Sequence, residues 1–353
     1  MVRPVIVLLV ACGAKDEPVA CPPADGALLW LSTSDFFSEV GALAAIDPAD
    51  GTLYDSLAST WPDSLVRVRD GVPFVLGRGL ADAVRVYDDR CFAAPTLEIP
   101  LPPGTNAHDL EVVGDAWFVS AYDAATLLVL DPSGDLRGEV DLAPWADADG
   151  LPDPDQLLVV GDELAVALQN LEGGRNDAGA GRIAVVDTAS LAVDRVYDVG
   201  PNPKLYGHPA APGSAIVLTG LFFDATDGAI SVVDLASGAI EVVLAETVFG
   251  LDFYDYAEAD GYGAIVGVDE EYGSLSEVFC IDWSTGAWTP GPVTPSFLAD
   301  LTPGDDGTVW IVARSGRVEG ADDGVFQLDP KTCSEISGWT APSLEPYSIA
   351  VLE

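Results

Sequence analysis

Residues 229–243 read AISVVDLASGAIEVV, and this stretch decides the fold. Two short runs rich in β-branched residues flank a turn that begins at Asp234 and contains Gly238. β-Branched residues favour strands, and a glycine-bearing turn between two such runs is typical of a tight hairpin. The stretch therefore predicts two antiparallel strands joined by a short turn.

The same pattern occurs seven times along the chain, and each copy has an aspartate that opens the turn. Neighbouring copies lie 41 to 56 residues apart. A repeat of this length with about four strands per unit indicates a β-propeller. We therefore expect an all-β protein, a seven-bladed β-propeller with four-stranded blades. The turn aspartates are Asp47, Asp88, Asp131, Asp187, Asp234, Asp282 and Asp329.

The two ends of the repeat region predict how the ring closes. The first blade lacks an inner strand on its N-terminal side, and the chain ends with an unpartnered strand pattern, PYSIAVLE, over residues 346–353. Residues 348–352 are therefore expected to complete blade 1. Closure in this way removes an unpaired sheet edge. The propeller domain would span residues 27–353.

Three copies of the repeat carry a family resemblance. They are VVDTAS from Val185, VVDLASG from Val232 and VLDPSGD from Val129. These phrases resemble the YVTN-type repeats of bacterial seven-bladed propellers, which are similar to lactonase-like and gluconolactonase-like propellers. The resemblance covers residues 27–353 and implies the fold. It does not select an activity, since propellers support binding, scaffolding and catalysis alike.

The charge of the chain is strongly negative. It has 353 residues with 57 acidic and 15 basic side chains, a formal net charge of -42. Such a surface repels nucleic-acid phosphates and attracts cations and basic partners. We therefore expect no nucleic-acid binding, and we expect a monomer. Only three lysines occur: Lys15, Lys204 and Lys331.

The N-terminus predicts an export signal. Residues 1–15 read MVRPVIVLLVACGAK, with Arg3 before a short apolar run and Leu-Val-Ala before Cys12. This pattern resembles the lipobox of bacterial lipoproteins, in which the cysteine becomes a diacylated N-terminus. We expect a signal peptide over residues 1–11, a lipidated Cys12 and a tether over residues 12–26. Since Gly13 is not the aspartate of inner-membrane lipoproteins, the resemblance implies the outer membrane of the cell envelope. The alternative is an ordinary secretory signal.

Four cysteines remain after Cys12, namely Cys21, Cys91, Cys280 and Cys333. In an exported chain they suggest two disulfides, with three possible connectivities. We favour 21–91 and 280–333, because each pair would join neighbouring blades. Wide spacing argues against a zinc site.

The loop over residues 145–156, WADADGLPDPDQ, contains four closely spaced aspartates. They are Asp147, Asp149, Asp153 and Asp155. The loop resembles part of an EF-hand and the thrombospondin-type calcium repeats, and calcium prefers several carboxylate oxygens on a turning backbone. The sequence therefore predicts a calcium site here. The alternative is an acidic loop that is simply solvated.

Further polar residues fall in loops on one face of the predicted ring, where binding sites concentrate. They would form a ligand site or, alternatively, cap their own loops. The resemblance to lactonase-like propellers, which hold a channel metal with acidic and amide side chains, adds Asp252 and Asp300 and supports Asp109 and Asn202. The full set of ligand-binding candidates is Asn106, His108, Asp109, Gln169, Asn170, Arg175, Asn202, Asp252 and Asp300.

Signals for catalysis are weak. The chain has only two histidines, His108 and His208, and lacks the Gly-x-Ser-x-Gly, His-Glu-x-x-His and phosphate-loop motifs. The favoured function is a lipid-anchored module that binds an envelope protein or a polysaccharide through its loop-rich face. The alternative is a metal-dependent lactonase-like hydrolase with its site at the central channel.

Overall fold

The computed structural model describes residues 20–353 except 80, 162, 173–176, 179, 223, 270–274 and 316–320. It forms a ring of seven antiparallel four-stranded sheets, which confirms the predicted all-β propeller. Two short 3₁₀ helices, Ala143–Trp145 and Glu246–Val248, are the only helices in the described part of the chain. Neither is long enough to cross a bilayer.

The strands of the first three blades follow the repeats closely. Each blade has an inner strand along the channel and an outer strand at the rim. The strands are β1 (Leu28–Asp35), β2 (Val40–Ile46), β3 (Leu53–Thr60), β4 (Ser64–Arg69), β5 (Val72–Gly77), β6 (Ala83–Val86), β7 (Leu97–Pro100), β8 (Ala107–Val113), β9 (Ala116–Ala121), β10 (Thr126–Leu130) and β11 (Leu136–Asp141).

The remaining blades continue the same order, with one extra hairpin, β14–β15, outside the blades. The strands are β12 (Pro154–Val160), β13 (Glu163–Leu168), β14 (Leu171–Glu172), β15 (Asp177–Ala178), β16 (Arg182–Asp187), β17 (Ala192–Asp198), β18 (Lys204–Gly207), β19 (Ser214–Thr219), β20 (Ala229–Asp234), β21 (Ile240–Ala245), β22 (Asp252–Ala259), β23 (Tyr262–Val268), β24 (Ser276–Asp282), β25 (Ala287–Thr294), β26 (Phe297–Pro303), β27 (Val309–Arg314), β28 (Gly324–Asp329), β29 (Ser334–Glu335) and β30 (Glu345–Leu352).

Blade 1 is closed by the C-terminal strand, as predicted. Its order is β3-β2-β1-β30, so β30 is the inner strand. β1 and β30 run antiparallel, with Leu28 opposite Leu352 and Ser34 opposite Glu345. The ring therefore has no unpaired inner edge between blades 7 and 2.

The core lies between the blades rather than within one of them. Seven apolar clusters of buried residues occur, one at each junction between neighbouring sheets. Successive residues of a strand point to opposite faces. In β9, Trp117 and Val119 pack against blade 2, whereas Phe118 packs against blade 4. This explains why the strands are apolar at nearly every position.

The turn aspartates act through their own backbone. In six of the seven repeats the carboxylate accepts an N–H from the residue two positions later, as Asp234 does from Ala236. Such side chain to backbone bonds favour tight turns. Hydrogen bonds also lower the pKa of three of these carboxyls. The largest effect comes from the Ser133 hydroxyl for Asp131, from the Ser190 N–H for Asp187 and from the Ser237 hydroxyl for Asp234, and further backbone N–H groups add to it. The described residues show no such bond from Asp88.

Both favoured disulfides are present. Cys280 of blade 6 is bonded to Cys333 of blade 7, with the two Cα atoms 5.6 Å apart. Cys21 is bonded to Cys91 of blade 2, with a Cα separation of 4.8 Å. Since Cys21 lies in the predicted tether, this disulfide joins the tether to the propeller.

A belt of side chains connects the inner strands around the channel. Five belt residues accept an N–H from the next inner strand; Asp109, for example, accepts from Leu157 at 3.0 Å. Arg67 and Tyr206 instead donate to the belt aspartate of the next blade. The belt therefore runs round the whole ring. Its members are Arg67, Asp109, Gln156, Tyr206, Asp255, Asp300 and Ser348.

Deletion of residues 346–353 should abolish the folded state, because it removes the inner strand of blade 1 and exposes two apolar junctions. We expect aggregation or loss of the cooperative thermal transition, measured by circular dichroism and size-exclusion chromatography. Deletion of the exposed Glu353 alone is the control. A soluble truncated protein with an unchanged melting curve would contradict the closure.

Substitution of Asp109 by Ala should destabilise the fold, because it leaves the Arg67 guanidinium and the Leu157 N–H without their buried acceptor. Breaking a buried ion pair costs about 3–5 kcal/mol. Chemical denaturation would measure the loss. Asp115→Ala, in the turn that follows β8 and 81% exposed, is the matched control and should change little. Equal stability of the two variants would argue against the belt.

Candidate functional site

A cavity of about 220 Å³ opens at the channel mouth on the loop-rich face. One residue from the inner strand of each blade lines it, and we call this set the mouth ring. Below it lie belt residues, and above it lie Arg78, Tyr122, Gln169 and Phe222 from loops that follow second strands. The mouth ring consists of Leu65, His108, Asp155, Lys204, Tyr254, Ala299 and Tyr347.

β-Bulges place these side chains in the channel. In blades 1, 3, 4, 6 and 7 the register of the inner strand shifts at the mouth residue. A bulge breaks the strict alternation of side chains. Consecutive residues such as His108 and Asp109 can therefore serve the mouth ring and the belt. Blades 2 and 5 have no shift, and there the two residues lie two positions apart, as Lys204 and Tyr206 do.

His108 is held in a closed hydrogen-bond network. Its Nδ1 lies 3.0 Å from Asp155 Oδ1. The Gln169 amide donates to Asp155 Oδ2 at 2.6 Å, and the Tyr122 hydroxyl donates to Gln169 Oε1 at 3.0 Å. The Tyr122 ring stacks on the imidazole with centroids 3.9 Å apart. Two direct contacts, from Asp155 and Tyr122, therefore fix the position and the rotation of this imidazole, and Gln169 links the two.

Asp155 is ionised in this network. Burial raises its pKa, but the hydrogen bond from His108, the positive charge that His108 can carry and the charges of Lys204 and Arg78 outweigh burial, so the net pKa lies below the ordinary value. An ionised carboxylate only accepts hydrogen bonds, so Nδ1 of His108 carries a proton. In the neutral imidazole, Nε2 then holds the lone pair.

Lys204 is a buried cation in the mouth cavity. Its Nζ donates to the backbone carbonyl of Tyr254 and lies 3.9 Å from the centre of that ring. No carboxylate of the described residues lies within ion-pair distance of it. Burial lowers its pKa, while the charges of four aspartates act in the opposite direction: Asp255, Asp252, Asp155 and Asp300. The close contacts of this ammonium group are therefore uncharged, and the carboxylates act on it from further away.

Arg78 forms the second cationic element of the mouth. Its guanidinium pairs with Asp63 at 2.6 Å and donates to the Tyr347 hydroxyl. Burial raises the pKa of Tyr347 to about 12, so this hydroxyl keeps its proton at neutral pH. Arg314 lies over the same ring, 5.3 Å from its centre.

The deeper channel is a larger and more acidic cavity of about 540 Å³. Burial, together with the nearby charge of Asp300, raises the pKa of Asp255 to about 7. Burial also raises the pKa of Glu111 to about 7, although Arg69 opposes this shift. Below them, His208 pairs with Glu258 at 2.7 Å.

The structure divides the four aspartates of the predicted calcium loop. Asp147 and Asp149 accept backbone N–H groups within their own turn, Asp153 accepts from Leu171, and Asp155 joins His108. Burial raises the pKa of Asp153 to about 6. The described residues contain no group of three or more His, Cys, Asp or Glu arranged to hold a metal. Calcium binding stays a prediction.

The other predicted ligand residues lie in different places. His108, Gln169 and Asp300 line the mouth cavity, and Asp109 lines the deeper channel. Asp252 is buried at the start of β22. Arg175 lies outside the described residues. Three amides fix loop backbone instead: Asn106 accepts from Gly79, Asn170 donates to Trp145, and Asn202 donates to Gly220.

Several cavity residues were missed by the sequence reasoning. They share a position rather than a motif, since most stand where an inner strand bulges or where a second strand ends. The scarcity of lysine was a usable signal for Lys204, because a rare cation stands at the start of an inner strand. The missed residues are Arg78, Tyr122, Lys204, Tyr206 and Asp255.

Comparison with known proteins supports the fold. No family model and no curated protein sequence matches the chain. Among solved structures, it is similar to 6-phosphogluconolactonase-like proteins from Bacteroides uniformis (TM-score 0.67, 13% identity, 92% of this chain and 99% of that one) and Bacteroides fragilis (0.66, 12%, 94% and 99%). It is also similar to virginiamycin B lyase from Staphylococcus aureus (0.58, 14%, 92% and 93%). At these identities the likeness shows the propeller fold alone.

A buried acid contacts β22, the strand that carries Tyr254. Glu246 is fully buried, and its two oxygens accept the N–H groups of Gly228 and Phe253 at 2.7 and 2.8 Å. Burial raises its pKa to about 8 from an ordinary 4.5. Between these values the folded state keeps a proton that the unfolded state has released. Its contribution to stability is therefore lost as the pH rises towards 8.

The melting temperature should thus fall between pH 6 and pH 9, since Asp255 and Glu111 act in the same direction. Glu246→Gln mimics the neutral acid, so this variant should show a smaller fall. Differential scanning calorimetry at both pH values would measure it. Glu241→Gln, exposed on β21, is the matched control and should retain the full fall. A Glu246→Gln curve parallel to the parent curve would contradict the assignment.

Proposed function

We propose that the protein binds a small anionic sugar, such as a uronic acid, in the mouth cavity. The observation that carries the proposal is Lys204. In a chain with 57 acidic residues and three lysines, one ammonium group lines the cavity, and no carboxylate of the described residues lies at ion-pair distance from it. A ligand carboxylate would supply that counter-charge through a charge-assisted hydrogen bond.

The walls of the cavity support a sugar rather than a simple inorganic anion. Aromatic side chains of Tyr122, Phe222, Tyr254 and Tyr347 line it, together with the polar groups of His108 and Gln169. Binding sites combine apolar walls with a few placed polar groups, and most exceed about 300 Å³. A cavity of about 220 Å³ is smaller and suits a single ring.

The proposal extends to the cellular setting. A signal peptide over residues 1–11 and a lipid anchor at Cys12 would hold the propeller at the cell envelope, where acidic polysaccharides are natural ligands. A bound calcium ion at the loop containing Asp147 and Asp149 would stabilise the face next to the cavity. These features rest on the sequence patterns, since residues 1–19 lie outside the described part of the chain.

Isothermal titration calorimetry with glucuronate and glucose would test the proposal, because the two sugars differ at the carboxylate. We expect glucuronate to bind and glucose to bind weakly or not at all. Lys204→Met should weaken glucuronate binding roughly 10- to 150-fold, the equivalent of a charged hydrogen bond of about 1.5–3 kcal/mol. Lys331→Met removes the same charge from the surface and serves as the control. Equal binding of the two sugars, or full affinity in Lys204→Met, would contradict the proposal.

A further inference from the structure

We propose that the mouth cavity is catalytic, with His108 as a general base that removes the proton next to the carboxylate of a bound uronic acid. This inference rests on the proposed function and names its reaction, a β-elimination. The ligand would be a uronic acid in which the carbon next to the carboxylate loses its proton. The following carbon of the ring would carry a glycosidic oxygen.

The orientation of His108 suits it to act as the base. Nδ1 is engaged by Asp155, so Nε2 is the nitrogen left for a ligand. No hydrogen bond from the described residues reaches Nε2, and the imidazole lines the cavity with 16% of its side chain exposed. A positioned base needs this combination of a fixed ring and an open lone pair. The stacked Tyr122 and the Gln169 amide prevent the ring from turning away.

The order of the residues around the mouth relates the base to the cation. Going round the mouth, His108 of blade 3, Asp155 of blade 4 and Lys204 of blade 5 follow one another. The base and the cation therefore stand on either side of the Asp155 carboxylate. A ligand carboxylate at Lys204 would have its adjacent carbon on the side of His108. The cation would also stabilise the negative charge that develops as the proton leaves.

A proton donor for the leaving oxygen is present on the other side of His108. Tyr347 of blade 1 lines the cavity, and its hydroxyl keeps its proton because burial, together with the charge of Asp63 and a hydrogen bond to it, outweighs the charge of Arg78. Arg78 donates a hydrogen bond to that hydroxyl and would stabilise the tyrosinate formed when the proton leaves. The donor and the base are thus different residues.

The elimination moves one proton to His108 and one from Tyr347. His108 Nε2 takes the proton from the carbon next to the carboxylate, and that electron pair forms a carbon–carbon double bond. The bond from the next carbon to the glycosidic oxygen breaks, and this oxygen takes the proton of Tyr347. Exchange with solvent returns a proton to Tyr347 and removes one from His108. No electron transfer and no water addition takes place, and the products are an unsaturated uronate and a shortened sugar.

The first experiment follows the proton alone. Glucuronate in deuterium oxide, mixed with the full chain, should exchange the hydrogen next to its carboxylate, measured by proton NMR. His108→Gln should lower the exchange rate by about 10²- to 10⁴-fold, the usual contribution of a general base. His208→Gln, at the only other histidine and below the belt, is the control and should exchange at the parent rate.

The second experiment follows the elimination. Oligomers of galacturonate and glucuronate should give the ultraviolet absorbance of an unsaturated uronate, and Tyr347→Phe should remove this signal while leaving the hydrogen exchange in place. Exchange without absorbance in the parent protein would overturn the elimination. Glucuronate that binds without exchange would overturn the base and leave the proposed binding function standing. Failure of glucuronate to bind would overturn both.

A third measurement needs no variant. Because the chain has two histidines, long-range proton–nitrogen NMR resolves each ring. We expect His108 in the form with a proton on Nδ1 and none on Nε2. The opposite tautomer would overturn the proposal, since the nitrogen that faces the cavity would then have no lone pair to accept a proton.

Discussion

The belt of hydrogen bonds around the channel is the constraint on which the rest of this propeller depends. Apolar contacts between blades are strong but not directional, so they do not fix how far each inner strand stands from the axis. The belt does so, because each member reaches one particular N–H or carboxylate of the next strand. Its shorter side chains, such as Asp109 and Ser348, require a bulge to enter the channel. In five of the seven blades the mouth-ring residue owes its place to such a bulge, whereas Leu65 and Lys204 stand on inner strands without one.

The sequence predicted the architecture because the architecture repeats. Seven copies of one hairpin pattern predict the number of blades. The first blade lacks an inner strand and the chain ends with an extra strand, and together these predict how the ring closes. Both favoured cysteine pairs are present: Cys280–Cys333 joins neighbouring blades as expected, whereas Cys21–Cys91 joins the tether to blade 2. The candidate site does not repeat, and this is why most of it was missed. His108 and Asp155 are 47 positions apart and meet only because two adjacent blades bulge at the same height.

The predicted calcium loop shows that residues close in sequence need not lie together in the structure. Four aspartates in nine residues look like one group, yet alternation and turning of the backbone send them in different directions. Asp153 points to the backbone of Leu171, whereas Asp155 points across the channel mouth to His108. Acidic residues also differ in their protonation according to depth. Asp234, in an exposed turn, has its pKa lowered by hydrogen bonds from the Ser237 hydroxyl and from backbone N–H groups, whereas burial raises the pKa of Glu246.

The way in which the chain ends pair has a mechanical consequence. β1 begins where β30 ends, so a force that pulled these two ends apart would open their hydrogen bonds one at a time, in a zipper geometry. The bond between Cys21 and Cys91 changes the load path. Tension applied ahead of Cys21 passes into blade 2 through the disulfide, and Arg90 adds a hydrogen bond to the Gly26 carbonyl at 2.5 Å. A propeller held by its N-terminal segment would thus carry tension past its closing strand.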